Sequence, residues 1–243
     1  MTGPLTSRAS GSANPTSRAW QLGAVLGSIA CLVLQGCGAT SNPPVAHVQD
    51  TAITRSALAH WMSVYNAPSP IPVPDPPRYD GCIAAASAEQ VGMRRRPLMS
   101  RPALRARCAV IYTKVRNEAL AFLITAKWLT GEAAARGITV SPGEADATYR
   151  RMLAGPAGRS FAMSLARRGI SSADETLQLR LDKLALKLRA QLSAGYTGAQ
   201  ATRRIATFIA AYRQRWRLRT TCEPGYLVPE CRNGQPLPPP AGG

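Results

Sequence analysis

Apolar and polar residues alternate in one short segment of the chain, where they predict a hairpin followed by a helix. The segment "VAHVQDTAI" alternates around the turn-like pair Gln49-Asp50, which is typical of a short strand or hairpin. Thr54 comes next and is expected to cap a helix that reaches about Tyr65. The prolines of "NAPSPIPVPDPPRYDG" then predict a loop over residues 66–81, because proline lacks an amide donor and restricts the residue before it.

A long central helix is predicted from about Pro102 to Arg136, with Gly137 ending it. Two apolar stripes run along this helix, and a helix that is apolar on more than one side belongs in the middle of a fold. One stripe consists of Ile111, Val115, Ala119, Phe122, Ala126 and Leu129, and the other of Leu120, Ile124 and Trp128.

Helix-start signals predict a further pair of helices. The sequence "SPGE" at 141–144 places a serine cap, a proline in the first turn and a glutamate three residues after the cap. A helix is therefore expected to begin there and to run to about Ala154. A shorter helix is expected from about Phe161 to Arg168, where Gly169 stops it.

The last two predicted helices each carry an apolar stripe. The sequence "SADE" at 172–175 is a second capping-box pattern and predicts that a helix begins there. The final helix is predicted over residues 198–219. Both stripes are expected to pack as core or as a seam between helices rather than to bind a ligand. The first stripe consists of Leu177, Leu181, Leu184, Leu188 and Leu192, and the second of Ile205, Phe208, Ile209, Tyr212 and Trp216.

These elements predict a mainly α-helical fold with a short N-terminal strand or hairpin, a long central helix and a C-terminal packing helix. One domain is expected over residues 45–232, since a chain of this length can bury a sizeable core. The remaining residues, 233–243, include "QPLPPPAGG" and are expected to be disordered or extended.

The segment before this domain has the layout of a secretory signal. Arg8 and Arg18 precede an apolar stretch over 19–34 that is shorter than the about 20 residues of a membrane-spanning helix. The sequence "LQGC" that follows resembles the bacterial lipobox, in which a small residue precedes a cysteine that becomes diacylated. This resemblance implies a signal peptide over residues 1–36 and lipid attachment at Cys37. The alternative is an uncleaved anchor helix, and either interpretation places the rest of the chain outside the cytoplasm and at a membrane.

Residues 37–44 are accordingly predicted to be a flexible tether between the lipid and the domain. The formal net charge of the 243-residue chain is +17, and cleavage after residue 36 would leave +15. The excess is mostly arginine and is dispersed over several amphipathic segments, so no nucleic acid partner is expected. An arginine-rich surface near anionic lipid headgroups fits this distribution better.

Cysteine usage also fits an exported protein. Cys82, Cys108, Cys222 and Cys231 remain besides Cys37 after the predicted cleavage, and an even number in an exported chain indicates two disulfides. The four cysteines can pair in three ways, and the most local way joins Cys82 to Cys108 and Cys222 to Cys231. The first pair would pin the proline-rich loop. A zinc site is not expected, since the sequence has no C-x-x-C pair.

Residues suited to catalysis are sparse. His47 and His60 are the only histidines, and both are expected to be packing or surface residues. Glu144, Asp174 and Glu175 stand at predicted helix starts, where the helix dipole accounts for carboxylates. No phosphate-binding G-x-x-x-x-G-K-[ST] sequence occurs. The sequence therefore predicts no catalytic residue, no metal and no cofactor.

Three segments together resemble the N-terminal chaperone domain of SurA-type and PrsA-type periplasmic foldases. They are "VAHVQDTAITRSALAHWM", "WLTGEAAARGITVSPGEADATY" and "FAMSLARRGISSADETLQLRLDKLALKLRAQL". The resemblance covers residues 45–192 and is best over 133–144 and 169–188. It departs from the family at Gln49-Asp50, where the family often has Asn-Gly.

The C-terminal segment "YRQRWRLRTTCEPGYLVPECRN" resembles that of actinobacterial lipoprotein relatives of this family, in which it follows a parvulin-type isomerase domain. Here only "SAGYT" separates Leu192 from the last helix, so an isomerase domain does not fit between them. The resemblance thus implies a foldase relative that has kept the chaperone part without the isomerase.

The expected function is that of a lipid-anchored, extracytoplasmic, chaperone-like protein that binds unfolded or nascent secreted polypeptides without ATP. Two alternatives remain open. The first is an envelope assembly or structural lipoprotein with one defined partner, and the second is a peptidyl-prolyl isomerase. The sequence names no residue that contacts a substrate and gives no oligomeric state.

Overall fold

A computed structural model of the chain describes residues 42–67, 69–93 and 97–235, which form seven α-helices and one three-stranded sheet. The predicted mainly α-helical fold with an N-terminal hairpin is confirmed. The predicted signal peptide over 1–36, the lipid attachment at Cys37 and most of the tether lie outside the described residues. Within the described ranges, no helix is both long enough and apolar enough to cross a membrane.

The sheet begins with the predicted hairpin. Strand β1 (Pro44–Val48) pairs antiparallel with β2 (Thr51–Thr54), and Gln49 takes the positive φ of 51° that the turn requires. Strand β3 (Thr220–Cys222) pairs antiparallel with the other edge of β1, so the strand order is β2-β1-β3. The sequence did not predict β3, whose three residues are too few to show a period.

Two helices flank the proline-rich loop. Helix α1 (Arg55–Asn66) begins at the predicted cap, where the Thr54 hydroxyl accepts from the Ala57 amide at 3.3 Å. Helix α2 (Asp80–Gly92) was not predicted. Its sequence is rich in alanine, and its buried face consists of Cys82, Ile83 and Ala86 with Gln90, which gives a weak apolar period. The loop predicted over 66–81 therefore ends at Tyr79, two residues earlier than expected.

Helix α3 (Arg101–Ala135) is the predicted long central helix. Leu120, Ile124 and Trp128 are at most 1% exposed, and Ala119 is fully buried beside them. The helix stops where predicted, since Gly137 takes a φ of 67° that favours glycine. The expectation that this helix lies at the centre of the fold is confirmed.

The remaining chain forms four helices. Helices α4 and α6 begin with capping boxes, and α5 is a short helix between them whose predicted stop, Gly169, has a φ of 61°. The last helix ends just before β3, so it returns the chain to the sheet. The bounds are α4 (Pro142–Ala154), α5 (Gly158–Arg167), α6 (Ser172–Ser193) and α7 (Gly198–Leu218).

The two capping boxes differ in how well they were predicted. At α4 the Ser141 hydroxyl accepts from the Glu144 amide and the Glu144 carboxylate accepts from the Ser141 amide, as expected. At α6 the predicted box over 172–175 is wrong by one residue. Ser171 is the cap and Asp174 is its partner, because "SS" offers two serines and the structure uses the first.

The main core lies between α3, the sheet and α1. It also receives Leu165 of α5, Trp216 of α7 and residues of the C-terminal loop. A smaller cluster under α2 contains the Cys82–Cys108 disulfide, and the Cys222–Cys231 disulfide closes the C-terminal loop against β3. Of the three ways of pairing four cysteines that the sequence left open, the structure has the most local one, and its two disulfides have Cα–Cα distances of 6.0 and 5.7 Å.

The chain remains packed beyond the predicted domain end at residue 232. The Asn233 side chain donates to the Cys222 carbonyl at 2.9 Å, and the Gly234 carbonyl accepts from Arg217 at 2.8 Å. Residues 236–243, which form the rest of the predicted tail, lie outside the described residues.

Candidate functional site

An apolar groove of about 470 Å³ lies between α3, α6 and α7. Part of each of the two apolar stripes predicted for the last two helices lines it, together with one side of α3. Helix α3 contributes Phe122, Thr125, Ala126 and Leu129, α6 contributes Leu181, Ala185, Leu188, Arg189 and Leu192, and α7 contributes Ile205, Phe208, Ile209, Tyr212 and Arg213.

The two stripes play different parts in this groove. On α6 the lining leucines are at most 8% exposed, and they form its floor. On α7 only Trp216 is buried, whereas Ile205 and Phe208 are partly exposed and Ile209 is 41% exposed. The expected core packing of the α7 stripe is present at Trp216 and Tyr212, whereas Ile205, Phe208 and Ile209 face the open groove. Along this stretch the side chains of α7 leave the groove open toward α3 and α6.

Aromatic rings line the α7 side of the groove. Phe208 and Tyr212 stack with ring centroids 5.7 Å apart, and Tyr212 meets the edge of the buried Trp128 at 6.1 Å. The Arg136 guanidinium lies 4.6 Å from the Phe208 ring centroid, so a cation covers one side of that ring. Burial, with the Glu132 carboxylate adding to it, raises the pKa of the Tyr212 phenol well above its ordinary value. The groove therefore presents rigid apolar surface, and the Tyr212 phenol stays neutral.

Cationic side chains border the groove. Arg189 on α6 is exposed, and Arg213 on α7 is partly exposed. In the described part of the chain no salt bridge involves either residue. Their charges are thus available to an acidic segment that enters the groove.

The C-terminal end of α7 is fixed to α3 by one buried carboxylate. Glu132, which is 5% exposed, accepts from the Trp216 indole at 2.8 Å and from Arg215 at 2.9 Å through Oε2. Its Oε1 accepts from Arg136 at 2.8 Å. Burial alone would raise the pKa of Glu132, but these three hydrogen bonds outweigh it and lower the pKa below its ordinary value. The carboxylate is therefore ionised at neutral pH and holds one end of the groove closed.

Close packing reinforces the same junction. A Cβ atom at Gly131 would collide with the Trp216 ring, so the indole occupies the space that glycine leaves on α3. One turn away, the Trp128 indole donates to the Thr220 hydroxyl at 2.7 Å, and that hydroxyl donates to the Trp216 carbonyl at 2.9 Å. Helix α7 is thus tightly held at its end near β3 and loosely packed along the groove.

The histidines and capping carboxylates lie outside the groove. His47 sits in β1 between Ala52 and Thr221 of the neighbouring strands. The exposed His60 donates from Nε2 to the Asp174 carboxylate at 2.7 Å, which joins α1 to the start of α6. Burial would raise the pKa of Asp174, but hydrogen bonds from Ser171 and His60 outweigh it and lower the pKa.

This group is not arranged for nucleophilic catalysis. Activation of a serine requires that the imidazole accept the proton of the serine hydroxyl. Here the Ser171 hydroxyl donates to Asp174 at 2.6 Å, and the carboxylate lies between the serine and His60. The arrangement caps a helix and joins two helices. Among the described residues, no three His, Cys, Asp or Glu side chains come together where they could hold a metal ion.

Sequence reasoning missed the groove and the Glu132 junction, although each left a trace. The α7 stripe was noticed, but a stripe looks the same whether its partner helix touches it or stands away from it. The signal for the junction was a glutamate between the apolar positions of the long helix, in "WLTGEAAA". The four disulfide cysteines were identified as such, and none of them lines the groove.

No protein-family model, curated protein or solved structure matches this chain. The resemblance to SurA-type and PrsA-type foldases therefore stays a prediction.

Proposed function

We propose that the protein is a membrane-tethered, extracytoplasmic polypeptide-binding protein, which holds unfolded or newly secreted chains in the α3–α6–α7 groove without ATP. The tether in this proposal is a lipid on Cys37, taken from the lipobox-like sequence. The groove is the observation that carries the binding role. Its volume of about 470 Å³ lies within the about 300–1,000 Å³ that is common for ligand sites.

The chemistry of the groove suits apolar side chains of an extended segment. Its lining is aliphatic and aromatic apart from Thr125, Arg189 and Arg213, and it contains no carboxylate. A buried leucine or phenylalanine gains about 1.5–3 kcal/mol on leaving water. Ordering the backbone of a flexible client costs about 1–2 kcal/mol per residue. The two contributions nearly cancel, so binding is weak and reversible, as a holding function requires.

The charges at the groove favour clients with acidic residues beside apolar ones. Arg189 and Arg213 stand at opposite walls, on α6 and α7. An exposed ion pair between an arginine and a carboxylate contributes up to about 1 kcal/mol to the binding free energy, and salt weakens this attraction by screening the charges. Binding of an acidic client should therefore weaken at high ionic strength, whereas the apolar contribution should not.

The proposal assigns no catalytic step to the protein. The enzyme alternative, a peptidyl-prolyl isomerase, is tested by a protease-coupled peptide assay, in which acceleration of proline isomerisation would contradict the proposal. The assembly alternative differs in selectivity. Crosslinking in cells that yields one dominant partner supports an assembly lipoprotein, and crosslinking to many unfolded chains supports the proposal.

The direct test is suppression of aggregation of chemically unfolded clients by the purified chain at stoichiometric amounts. The variant Ile205→Gln/Ile209→Gln changes two partly exposed side chains on the α7 wall of the groove. The control, Leu186→Gln, changes a side chain of α6 that is 67% exposed and does not line the groove. The groove variant should bind clients about tenfold more weakly, since two apolar contacts are lost.

The control should suppress aggregation as well as the original chain. If both variants suppress aggregation equally well, the client does not bind in the groove. If the original chain has no effect on several unrelated clients, the holding function is wrong.

A further inference from the structure

A second surface of the molecule, formed by the end of α4 and the outer face of α5, combines arginines with exposed apolar side chains. None of its residues lines the groove. It consists of Arg151, Met152 and Leu153 on α4 and Arg159, Met163 and Arg167 on α5, and it is called the α4–α5 surface below.

The packing of α5 fixes which of its sides faces outward. Leu165 is 6% exposed and belongs to the main core, and the Phe161 ring meets Tyr149 of α4 edge-on with centroids 6.1 Å apart. Arg159, Met163 and Arg167 follow one another at intervals of four residues, so they form a single row on the other side of the helix. All members of the row are exposed, and Met163 is 53% exposed.

The last turn of α4 lies directly against the start of α5. Gly158 packs on the backbone of Leu153 so closely that a Cβ atom there would collide with the Leu153 carbonyl. This contact places the exposed Met152 and Leu153, each 37% exposed, beside the first turn of α5. Apolar side chains from two helices are therefore exposed within one arginine-containing surface.

The positive charge of this surface is not balanced locally. The sequence from 147 to 173 contains five arginines and no Asp or Glu. In the described ranges, no salt bridge involves Arg151, Arg159 or Arg167. The nearest carboxylates in sequence, Asp146 and Asp174, point elsewhere: Asp146 lines a separate cavity with Arg150, and Asp174 bonds to His60 and Ser171.

We infer that the α4–α5 surface docks on an anionic lipid bilayer. Arginines attract the phosphates of anionic lipids, each contributing roughly fivefold to partitioning near such a surface. Methionine and leucine side chains among them enter the boundary between headgroups and acyl chains, as on other basic amphipathic helices. A nucleic acid would satisfy the arginines, but it offers no apolar phase for Met163. A bilayer therefore accounts for both features of the surface.

The inference takes the location at a membrane from the proposed function, but it does not depend on polypeptide binding in the groove. Docking through α5 would give the tethered domain a fixed orientation on the bilayer. A lipid on Cys37 alone would leave the orientation free.

The test is methionine oxidation of the full chain mixed with an excess of vesicles. One set of vesicles contains phosphatidylcholine alone and the other also contains phosphatidylglycerol. Hydrogen peroxide is uncharged, so vesicle charge does not change its concentration near the surface, and mass spectrometry reads the sulfoxide at each methionine. Met163 should oxidise several-fold more slowly with anionic vesicles than with neutral ones. Met93 and Met99, which are 50% and 42% exposed elsewhere, should oxidise equally with both.

Charge-reversal variants identify the surface. Arg159→Glu/Arg167→Glu should abolish the protection of Met163 and weaken partitioning to anionic vesicles by at least about tenfold. The control Arg203→Glu/Arg232→Glu changes the net charge equally at two exposed arginines outside the surface, and protection should remain. Arg159→Lys/Arg167→Lys keeps the charges and should also retain it.

Three results would overturn the inference. The first is equal oxidation of Met163 with both kinds of vesicle. The second is protection of Met93 and Met99 instead, which would turn another side of the domain to the bilayer. The third is binding of duplex DNA that weakens with salt and that the Arg159→Glu/Arg167→Glu variant loses, combined with no protection of Met163 by either kind of vesicle. If the chain does not co-float with neutral vesicles in a density gradient, that result counts against the lipid tether on Cys37 instead. The tether and the docking of the α4–α5 surface are therefore tested separately.

Discussion

At the scale of single residues, the ionisation of Glu132 is linked to the stability of the fold. Its carboxylate accepts hydrogen bonds from the indole of Trp216 and from two arginines, and these bonds lower its pKa. A group whose pKa is lower in the folded state stabilises that state above its unfolded pKa of about 4.3, and the contribution disappears as the pH falls through the folded pKa.

We expect Glu132→Gln to lower the free energy of unfolding by about 2 kcal/mol at pH 7, because an amide is a weaker acceptor for two arginines. The deficit should shrink as the pH falls below the unfolded pKa of about 4.3, and it should be smallest below the lowered folded pKa, where the original side chain is also neutral. Urea denaturation across this range measures it. Glu118→Gln, an exposed change on the same helix, is the control and should have little effect. A deficit of equal size at every pH would show that the charge of Glu132 does not hold α7.

The cap of α6 gives a second prediction at this scale. The Ser171 hydroxyl accepts from the Asp174 amide and donates to the Asp174 carboxylate, whereas Ser172 lies one residue inside the helix. Ser171→Ala should therefore cost about 1 kcal/mol of stability. Ser172→Ala should leave the stability nearly unchanged. Denaturation of the two variants under the same conditions shows which serine caps the helix. A larger loss of stability for Ser172→Ala than for Ser171→Ala would contradict the structure and support Ser172, the cap predicted from the sequence.

At the scale of elements, the contact of α7 with α3 depends on a glycine. Gly131→Ala should destabilise the fold by about 1–3 kcal/mol, because the new methyl group displaces the Trp216 ring from a closely packed site. Helix propensity alone predicts the opposite, since alanine is favoured over glycine by about 1 kcal/mol. Gly143→Ala in α4, where the new methyl group has ordinary contacts, is the matched control and should be neutral or stabilising. Denaturation followed by tryptophan fluorescence compares the two, and a stabilising Gly131→Ala would contradict the packing.

The disulfide of α2 predicts a local effect. Cys82 and Cys108 tie α2 to α3 within a small cluster apart from the main core. Replacing both by alanine should cost about 3 kcal/mol in the loop-entropy view. Hydrogen exchange should accelerate in α2 (Asp80–Gly92), while amides near Leu120 and Trp128 stay protected, because those residues belong to the main core. Uniform acceleration over the whole domain would show that α2 is part of a single cooperative core.

Elements with strong local signals could be predicted from the sequence. Helix α3 was recognised by its two apolar stripes, and α4 by the Ser141–Glu144 capping box. Helix α2 lacked such signals, because alanines dominate it and no serine or threonine caps it. Strand β3 has only three residues and exists because β1 offers it an edge, which is a fact of tertiary structure.

At the scale of the whole molecule, the sequence predicted which side chains are apolar but not the distances between helices. The α7 stripe with Ile205, Phe208 and Ile209 was expected to be closed by neighbours. The structure closes it only at Trp216, where Glu132 and Gly131 hold the helix. The groove lies beside the stretch of α7 that stays open, and its position depends on which residues far apart in sequence meet.

The central claim is that the α3–α6–α7 groove binds segments of unfolded polypeptides. Ala185 and Leu186 are neighbours on α6 and both are exposed, but only Ala185 lines the groove. The most direct measurement places a photoreactive amino acid at one or the other position in the full chain and irradiates it with an unfolded client. Strong crosslinking from position 185 and little from position 186 is the predicted result. Equal crosslinking from both positions, or none from position 185, would contradict the claim.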